Sequence, residues 1–392
     1  MTGTAPPGRL PSLTTLRFLF ASAVVWYHVS YVSGIFDGAL QERLLIGEPL
    51  AAGAVSGFFV LSGFVLTWTH TPGGSVRAFW RRRWWRIVPG HLLAWTATVL
   101  FFAVTTATVP LEVPPPHGAG AAVASLFLVQ SWVPDADVYT AFNAPAWSVS
   151  CEVFFYALFP ALVVAVRRIP VDRLRRTWAA LAVVIAGLPL VATLVPGPVL
   201  YDWLPINEYS LWFIYVFPPV RLPEFALGIV TARLLQTSAW PPVGRLPVLA
   251  CLGVFLAALP LLPPQYVLAS AAAPALAAVI AKTALADIEG RSVRLRRPGP
   301  VALGEASYAL YLLHWPLLMT VRHILGPDHG LPPWAGLALV LAVIALSVGL
   351  SLPVHRCVER PLIRRCARRR PEAATARDTP TAPGTPRNPE VV

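Results

Sequence analysis

Seven ionisable residues stand inside otherwise apolar stretches: Arg17, His28, Glu152, Arg221, Glu224, Glu305 and His314, with His355 at an apolar edge. Charge is expensive in hydrocarbon, so each is a candidate for function. Arg17 and His28 are separated so that a helix would place them about 20° apart around its axis and about 16 Å apart along it. One helix face then holds a cation and, deeper toward the other side, an imidazole suited to general-base work. The competing reading is a snorkelling arginine and a hydrogen-bonded core histidine. Glu152 falls about 9 Å in from the end of its segment, at a depth similar to that of His28. A carboxylate there can pair with the imidazole, orient it and raise its basicity; alternatively it is structural, bonded to Trp147 or a tyrosine. Ser148, Glu152 and Tyr156 share a helix face.

Arg83 and Arg86 form R-x-x-R just beyond an apolar run. Paired guanidiniums suit phosphate groups, whereas the plainer reading is a topology signal flanked by Trp84 and Trp85 as interfacial anchors. Ser307, Tyr311 and His314 share a further face, where a lone histidine is equally readable as structural. Arg221 and Glu224, three residues apart, neutralise each other. The histidines are scattered and no H-E-x-x-H or paired-cysteine motif occurs, so no metal site is expected.

The elements that position these residues follow from composition. The 392 residues are 56% hydrophobic and 13% charged, with mean hydropathy +0.62. That is about half the charge of a soluble domain. Disordered and nucleic-acid-binding proteins are excluded, and no nucleic-acid partner is expected. An all-α, polytopic transmembrane helix bundle in the lipid bilayer remains. Apolar runs of spanning length lie at about 12–32, 51–69, 87–109, 146–166, 177–196, 209–235, 246–262, 265–284, 301–323 and 332–352. These make about ten spanning helices. The sixth is expected to be kinked or broken by Pro218, Pro219 and Pro223.

An eleventh candidate at 118–134 is settled by charge. The net charge is +12, and its arginines cluster at Arg81–Arg83, Arg86, Arg167–Arg168, Arg173–Arg176, Arg294–Arg297 and Arg364–Arg370. Ten spans place every cluster on the cytoplasmic side, with both termini there; an eleventh inverts the later loops. The segment 118–134 is therefore read as re-entrant or interfacial. This gives a multi-pass protein of the cytoplasmic (inner) membrane. Residues 1–370 form the membrane-embedded domain and 371–392, rich in Pro, Thr and Ala, a disordered cytoplasmic tail. The four cysteines suggest no disulfide framework, and no cleavable signal peptide is evident.

A set of motifs follows in order. They are R-x10-H at Arg17 and His28, F-F-x-L-S-G-F from Phe58 to Phe64, and R-x-x-R at Arg83 and Arg86. Next come W-S-x-S-x-E-x-x-x-Y at Trp147, Ser148, Ser150, Glu152 and Tyr156, and R-x-x-E-F-x-x-G at Arg221, Glu224, Phe225 and Gly228. S-Y-x-x-Y-L-x-H-x-P stands at Ser307, Tyr308, Tyr311, Leu312, His314 and Pro316, and a closing E-R-P at Glu359, Arg360 and Pro361. Over roughly 12–361 the chain resembles the acyltransferase-3 family of bacterial integral-membrane O-acyltransferases. Cys151 departs from the family's usual aliphatic residue, a change expected to affect packing only. Larger members also have a hydrolase-like domain beyond the membrane, so here the chemistry is expected within the bundle.

The resemblance implies transfer of an acyl group, most often acetyl, from cytoplasmic acetyl-CoA or another acyl-CoA. The acceptor implied is a hydroxyl of a saccharide, a lipid-linked sugar or a glycosylated metabolite. On this reading His28 is the general base and Glu152 orients and charge-stabilises it. Arg17, Arg83 and Arg86 bind the donor, and Trp147, Ser148, Ser150, Tyr156, Tyr311 and His314 contact substrate. The rival class is a transporter or flippase of glycan or lipid intermediates, against which stands the lack of an apparent internal repeat.

Overall fold

A computed structural model describes residues 8–366, apart from 37–39, 41–42, 45–46, 106–117, 201–205, 243, 259–260, 269–270, 292 and 327–329. The expected tail at 371–392 lies outside the described residues. Among these residues the fold is all-α, with only two isolated bridges, Phe36 to Leu331 and Val199 to Asn207.

The principal helices are α1 (Pro11–Tyr27), α2 (Glu48–Trp68), α3 (Val76–Val104), α4 (Gly118–Leu126), α5 (Trp147–Arg168) and α6 (Val171–Ala192). They continue with α7 (Pro218–Gln236), α8 (Arg245–Ala258), α9 (Ala273–Ile288), α10 (Pro298–Glu305), α11 (Ser307–Leu325) and α12 (Pro333–Val354). Each of the ten expected segments contains helix among the described residues. By length and composition, however, seven helices are long and apolar enough to cross a membrane. The other three fall short for physical reasons. The segment of α8 has 14 residues, while α1 and α11 are diluted by their own polar side chains, Arg17 and His28 in one, His314, Arg322 and His323 in the other. The segment 118–134 does not span: α4 has nine residues, about 14 Å of helix, and short 3₁₀ and α turns follow it.

Helix α2 is the hub, with 78% of its apolar window buried, against 17% for α6 at the periphery. Large apolar side chains face outward on α6 and α12, among them Val183, Leu190, Leu341 and Leu346, the pattern of helices whose outer solvent is lipid. Without a hydrophobic drive between helices, close backbone approach supplies the packing energy. The contact of α2 with α7 shows how. A Cβ on Gly63 would collide with the Phe225 carbonyl oxygen, and one on Gly228 with that of Val60. Gly228→Leu forces the two backbones apart, at the upper end of the roughly 1–3 kcal/mol that overpacking costs. The expected result is loss of the monodisperse peak in detergent size-exclusion chromatography. Gly253→Ala, where nothing lies within 4 Å, leaves that peak unchanged.

The sixth expected span is broken, not merely kinked. A π-helical turn, Trp212–Val216, ends at Phe217, whose ψ of 118° is extended, and α7 restarts with Pro218 in its first turn. Proline is tolerated there because that N–H has no intrahelical partner. The break frees carbonyls, and the Cys151 thiol donates to Val216 O at 3.3 Å. Cys151 thus does more than pack: it satisfies a polar group that the break exposes. At the other end of the bundle Asp287 caps α1, accepting from the Ser12 N–H at 2.8 Å and the Ser12 hydroxyl at 2.6 Å. This fixes the helix that bears Arg17 and His28.

Candidate active site

Two cavities meet inside the bundle. The first, about 90 Å³, is lined by Arg17 of α1, Ser62 of α2, Arg83 and Arg86 of α3, Glu152 and Tyr156 of α5, and Tyr308 and Tyr311 of α11. The three-residue spacing of Arg83 and Arg86 puts both on the inner face of α3, while Arg81, Arg82 and Trp84 point outward. Arg83 and Arg86 thus differ from their neighbours in facing the cavity. Tyr156 donates to Glu152 Oε2 at 3.0 Å and bonds the Ser62 hydroxyl at 3.0 Å. Arg86 lies 3.7 Å from Glu359 and over the ring of Tyr308 at 5.6 Å. His355 Nδ1 bonds the same Glu359 oxygen at 2.8 Å, and the Tyr308 hydroxyl donates to Ile87 O at 2.8 Å. Arg17 and Arg83 have no hydrogen bond or ion pair among the described residues. With three guanidiniums and the single Glu152 carboxylate on its lining, this cavity suits an anionic or strongly polar guest.

The second cavity, about 220 Å³, is lined by His28, Glu48, Trp147, Tyr215, Tyr311 and Trp315, among others. His28 opens a π-helical turn, His28–Val32, that continues α1. Such turns widen a helix and recur at functional sites. Here all three π-helical turns among the described residues hold a site residue or its support: His28, Tyr215, and the His355 and Glu359 pair.

Hydrogen bonding assigns the proton positions of the histidines. His314 Nδ1 lies 3.2 Å from Leu310 O, and a carbonyl can only accept. His314 Nδ1 therefore bears the proton in the neutral ring, and its Nε2 is an acceptor. That Nε2 is 2.9 Å from His28 Nδ1, which must be the donor. His28 is left with an unprotonated Nε2, the form a general base requires. The rings stack at 5.2 Å between centroids, and Trp315 packs edge-on against His28 at 5.4 Å.

The expected His28–Glu152 pair does not form. Matched depth placed the two residues at similar heights, but on helices whose rotation turns them to different cavities. Glu152 faces the arginines and His28 faces His314, so His314 takes the orienting position first given to Glu152. Ser148 lies in the first cavity and bonds the Tyr311 hydroxyl at 2.8 Å. Trp147 lies in the second, packed on Tyr215 at 4.6 Å. Ser150 is buried and lines neither cavity. Tyr311 lines both, and is the partition between them.

Several site residues were not singled out from the sequence. Glu359 and Tyr308 stand in quoted motifs, but nothing in their spacing links either to Arg86. Glu48 and Tyr215 belong to no motif, and no sequence signal points to them. Among the described residues no group of His, Cys, Asp and Glu is placed to hold a metal ion.

The helix bundle holds an arginine-lined cavity beside a histidine dyad, and comparison with known proteins supplies its class. The acyltransferase-domain family model matches residues 10–354, and the chain belongs to that family, acyltransferase-3. It is similar to the acyltransferase MdmB of Streptomyces mycarofaciens, 37% identical over 382 residues, or 95% of this chain and 96% of that protein. It is also similar to the peptidoglycan O-acetyltransferase OatA of Listeria monocytogenes, 26% identical over 39% of this chain and 24% of that protein. The O-acetyltransferase OatA of Staphylococcus aureus is 24% identical over 60% of this chain and 36% of that protein. No solved structure matches. The protein is an O-acyltransferase of multi-pass membrane architecture, which decides against the transporter reading.

Proposed function

We propose that the protein moves an acyl group, most often acetyl, from an acyl-CoA to a hydroxyl of a saccharide or glycosylated small molecule. The observation that supports this is the shared wall: a cationic cavity and a cavity holding an oriented base lie on two sides of Tyr311. The donor's thioester end enters the first cavity. At about 90 Å³ that space takes the acyl end of the donor but not its nucleotide. The nucleotide phosphates stay at the mouth, near the arginines at the start of α3. With arginine clusters on the cytoplasmic side, that mouth faces the cytoplasm, where acyl-CoA is made, and both termini are cytoplasmic.

The acceptor hydroxyl lies on the His28 side. His28 Nε2 takes its proton as the oxygen attacks the thioester carbon. The C–S bond breaks, and the CoA thiolate leaves without need of a strong acid. Charge that develops on the carbonyl oxygen and on sulfur is offset by Arg17, while Arg83 holds the donor. Glu152 acts on the donor side, fixing Tyr156 and balancing the arginines; His314 holds the tautomer of His28.

The direct test is incubation of membranes with radiolabelled acetyl-CoA and candidate glycosides, and recovery of a labelled ester. Glycoside carried across the membrane with no labelled ester formed, or no labelled product at all, overturns the reading. The arginines separate by role. Arg83→Ala is expected to raise the KM for acetyl-CoA about tenfold, on the scale of about 1.4 kcal/mol for one charge-assisted contact, with kcat little changed. Arg86→Ala removes a partner of buried Glu359 and is expected to lower the yield of folded protein as well, with Glu359→Gln restoring it.

A further inference from the structure

We propose that the His28 cavity selects an acceptor bearing a protonated amine, held by the Glu48 carboxylate and surrounding aromatic faces. This inference rests on the acceptor side assigned above. Glu48 opens α2 and lines the cavity, and among the described residues it makes no hydrogen bond or ion pair. No arginine or lysine lines this cavity among the described residues. The buried Arg221 lies over the Tyr215 ring at 5.7 Å and is already paired with Glu224 at 3.2 Å. A carboxylate facing a membrane-embedded cavity without a counter-charge carries a desolvation cost that a cationic guest removes.

The walls suit the same guest. Tyr27, the last residue of α1, stacks at 5.4 Å on Tyr31 of the turn that begins at His28, and Trp147 packs with Tyr215 at 4.6 Å. The Gly47 backbone passes beside Tyr27, with 3.5 Å from a Cβ position to Tyr27 Cδ2, so Glu48 enters at the edge of this aromatic group. Aromatic faces and a carboxylate together are the chemistry that recognises alkylated ammonium. Most of this lining is aromatic or aliphatic, and Glu48 is the one carboxylate on it among the described residues. The two cavities thus sort their guests by charge: anionic donor to the arginines, cationic acceptor to Glu48. An amine held there also brings a neighbouring hydroxyl into the cavity that His28 lines.

The test uses the purified full chain in detergent. Tryptophan fluorescence is titrated with choline and with 3,3-dimethyl-1-butanol, its uncharged carbon isostere. Choline is expected to bind about tenfold more tightly, the preference vanishing in Glu48→Gln and persisting in Glu289→Gln, a surface carboxylate. Equal binding of the two probes to wild type, which needs no variant to fold, overturns the proposal. So does a choline preference that survives Glu48→Gln. A second arm measures transfer from acetyl-CoA to a methyl glycoside with a dimethylamino substituent and to the same glycoside with a hydroxyl there. A kcat/KM about tenfold higher for the amine supports the proposal, and equal values overturn it. Transfer to neither, with the choline preference intact, upholds the cation site and counts against the acyl-CoA reading instead.

Discussion

His28→Ala is expected to lower kcat for acyl transfer by about 10²–10⁴-fold, the range that a positioned general base contributes. The KM for acetyl-CoA should hardly move, because the arginine-lined cavity lies on the other side of Tyr311. His314→Ala should cost less. It leaves the base in place but removes the acceptor 2.9 Å from His28 Nδ1, so the tautomer is no longer fixed. A substitution that still accepts at that point, His314→Gln, should recover part of the loss. Measured at matched expression by a thiol-release assay, the two single variants and the double variant should be non-additive, since residues acting as a unit are not independent. A fully active His28→Ala enzyme would remove His28 from the mechanism and leave the dyad as packing.

Arg221→Ala is expected to be the most damaging substitution away from the cavities. Arg221 is 1% exposed, 3.2 Å from Glu224, and donates to the Ser56 hydroxyl at 2.6 Å. Its guanidinium also lies over Phe59 at 5.4 Å. Removing one partner of a buried ion pair costs about 3–5 kcal/mol, because the other charge loses its counter-ion in a low-dielectric interior. The bond from Arg221 to Ser56 also ties α7 to α2, near the crossing where Gly63 and Gly228 let the backbones touch. Thermal unfolding in detergent should show Arg221→Ala far below wild type. The double variant Arg221→Met/Glu224→Met should recover much of the loss, as replacing both charges by apolar groups often does. A single variant as stable as wild type would mean that water reaches the pair.

Much of this protein was legible along one dimension. Fixed spacings reported which residues share a helix: Arg17 with His28, Arg83 with Arg86, Ser148 with Glu152 and Tyr156. The broken sixth segment was legible too, because the adjacent Pro218 and Pro219 fit a helix only in its first turn, so the turn before them must end. Contacts between helices were not legible. Depth in the membrane can be counted from sequence, but rotation about the helix axis is set by packing. The mistaken His28–Glu152 pair came from matching depth alone. Glu359 shows the same limit over a longer distance: it reaches Arg86 across 273 positions of chain, with no periodicity to announce it.

By itself the sequence determined the medium and the material: a charge content too low for water, and a handful of ionisable groups that hydrocarbon does not tolerate without cause. It also determined the family, through motifs whose order spans nearly the whole chain. Only the tertiary structure decided how those groups divide. It sent Glu152 to the arginines, gave His28 to His314, set Tyr311 as the wall between them, and brought Glu48, which no motif marks, into the His28 cavity. The reason is physical. Burial cost is a property of each residue and can be read from its type and neighbours. Which partner relieves that cost depends on helix crossings that close glycine contacts, a proline break and widened π turns set together in three dimensions.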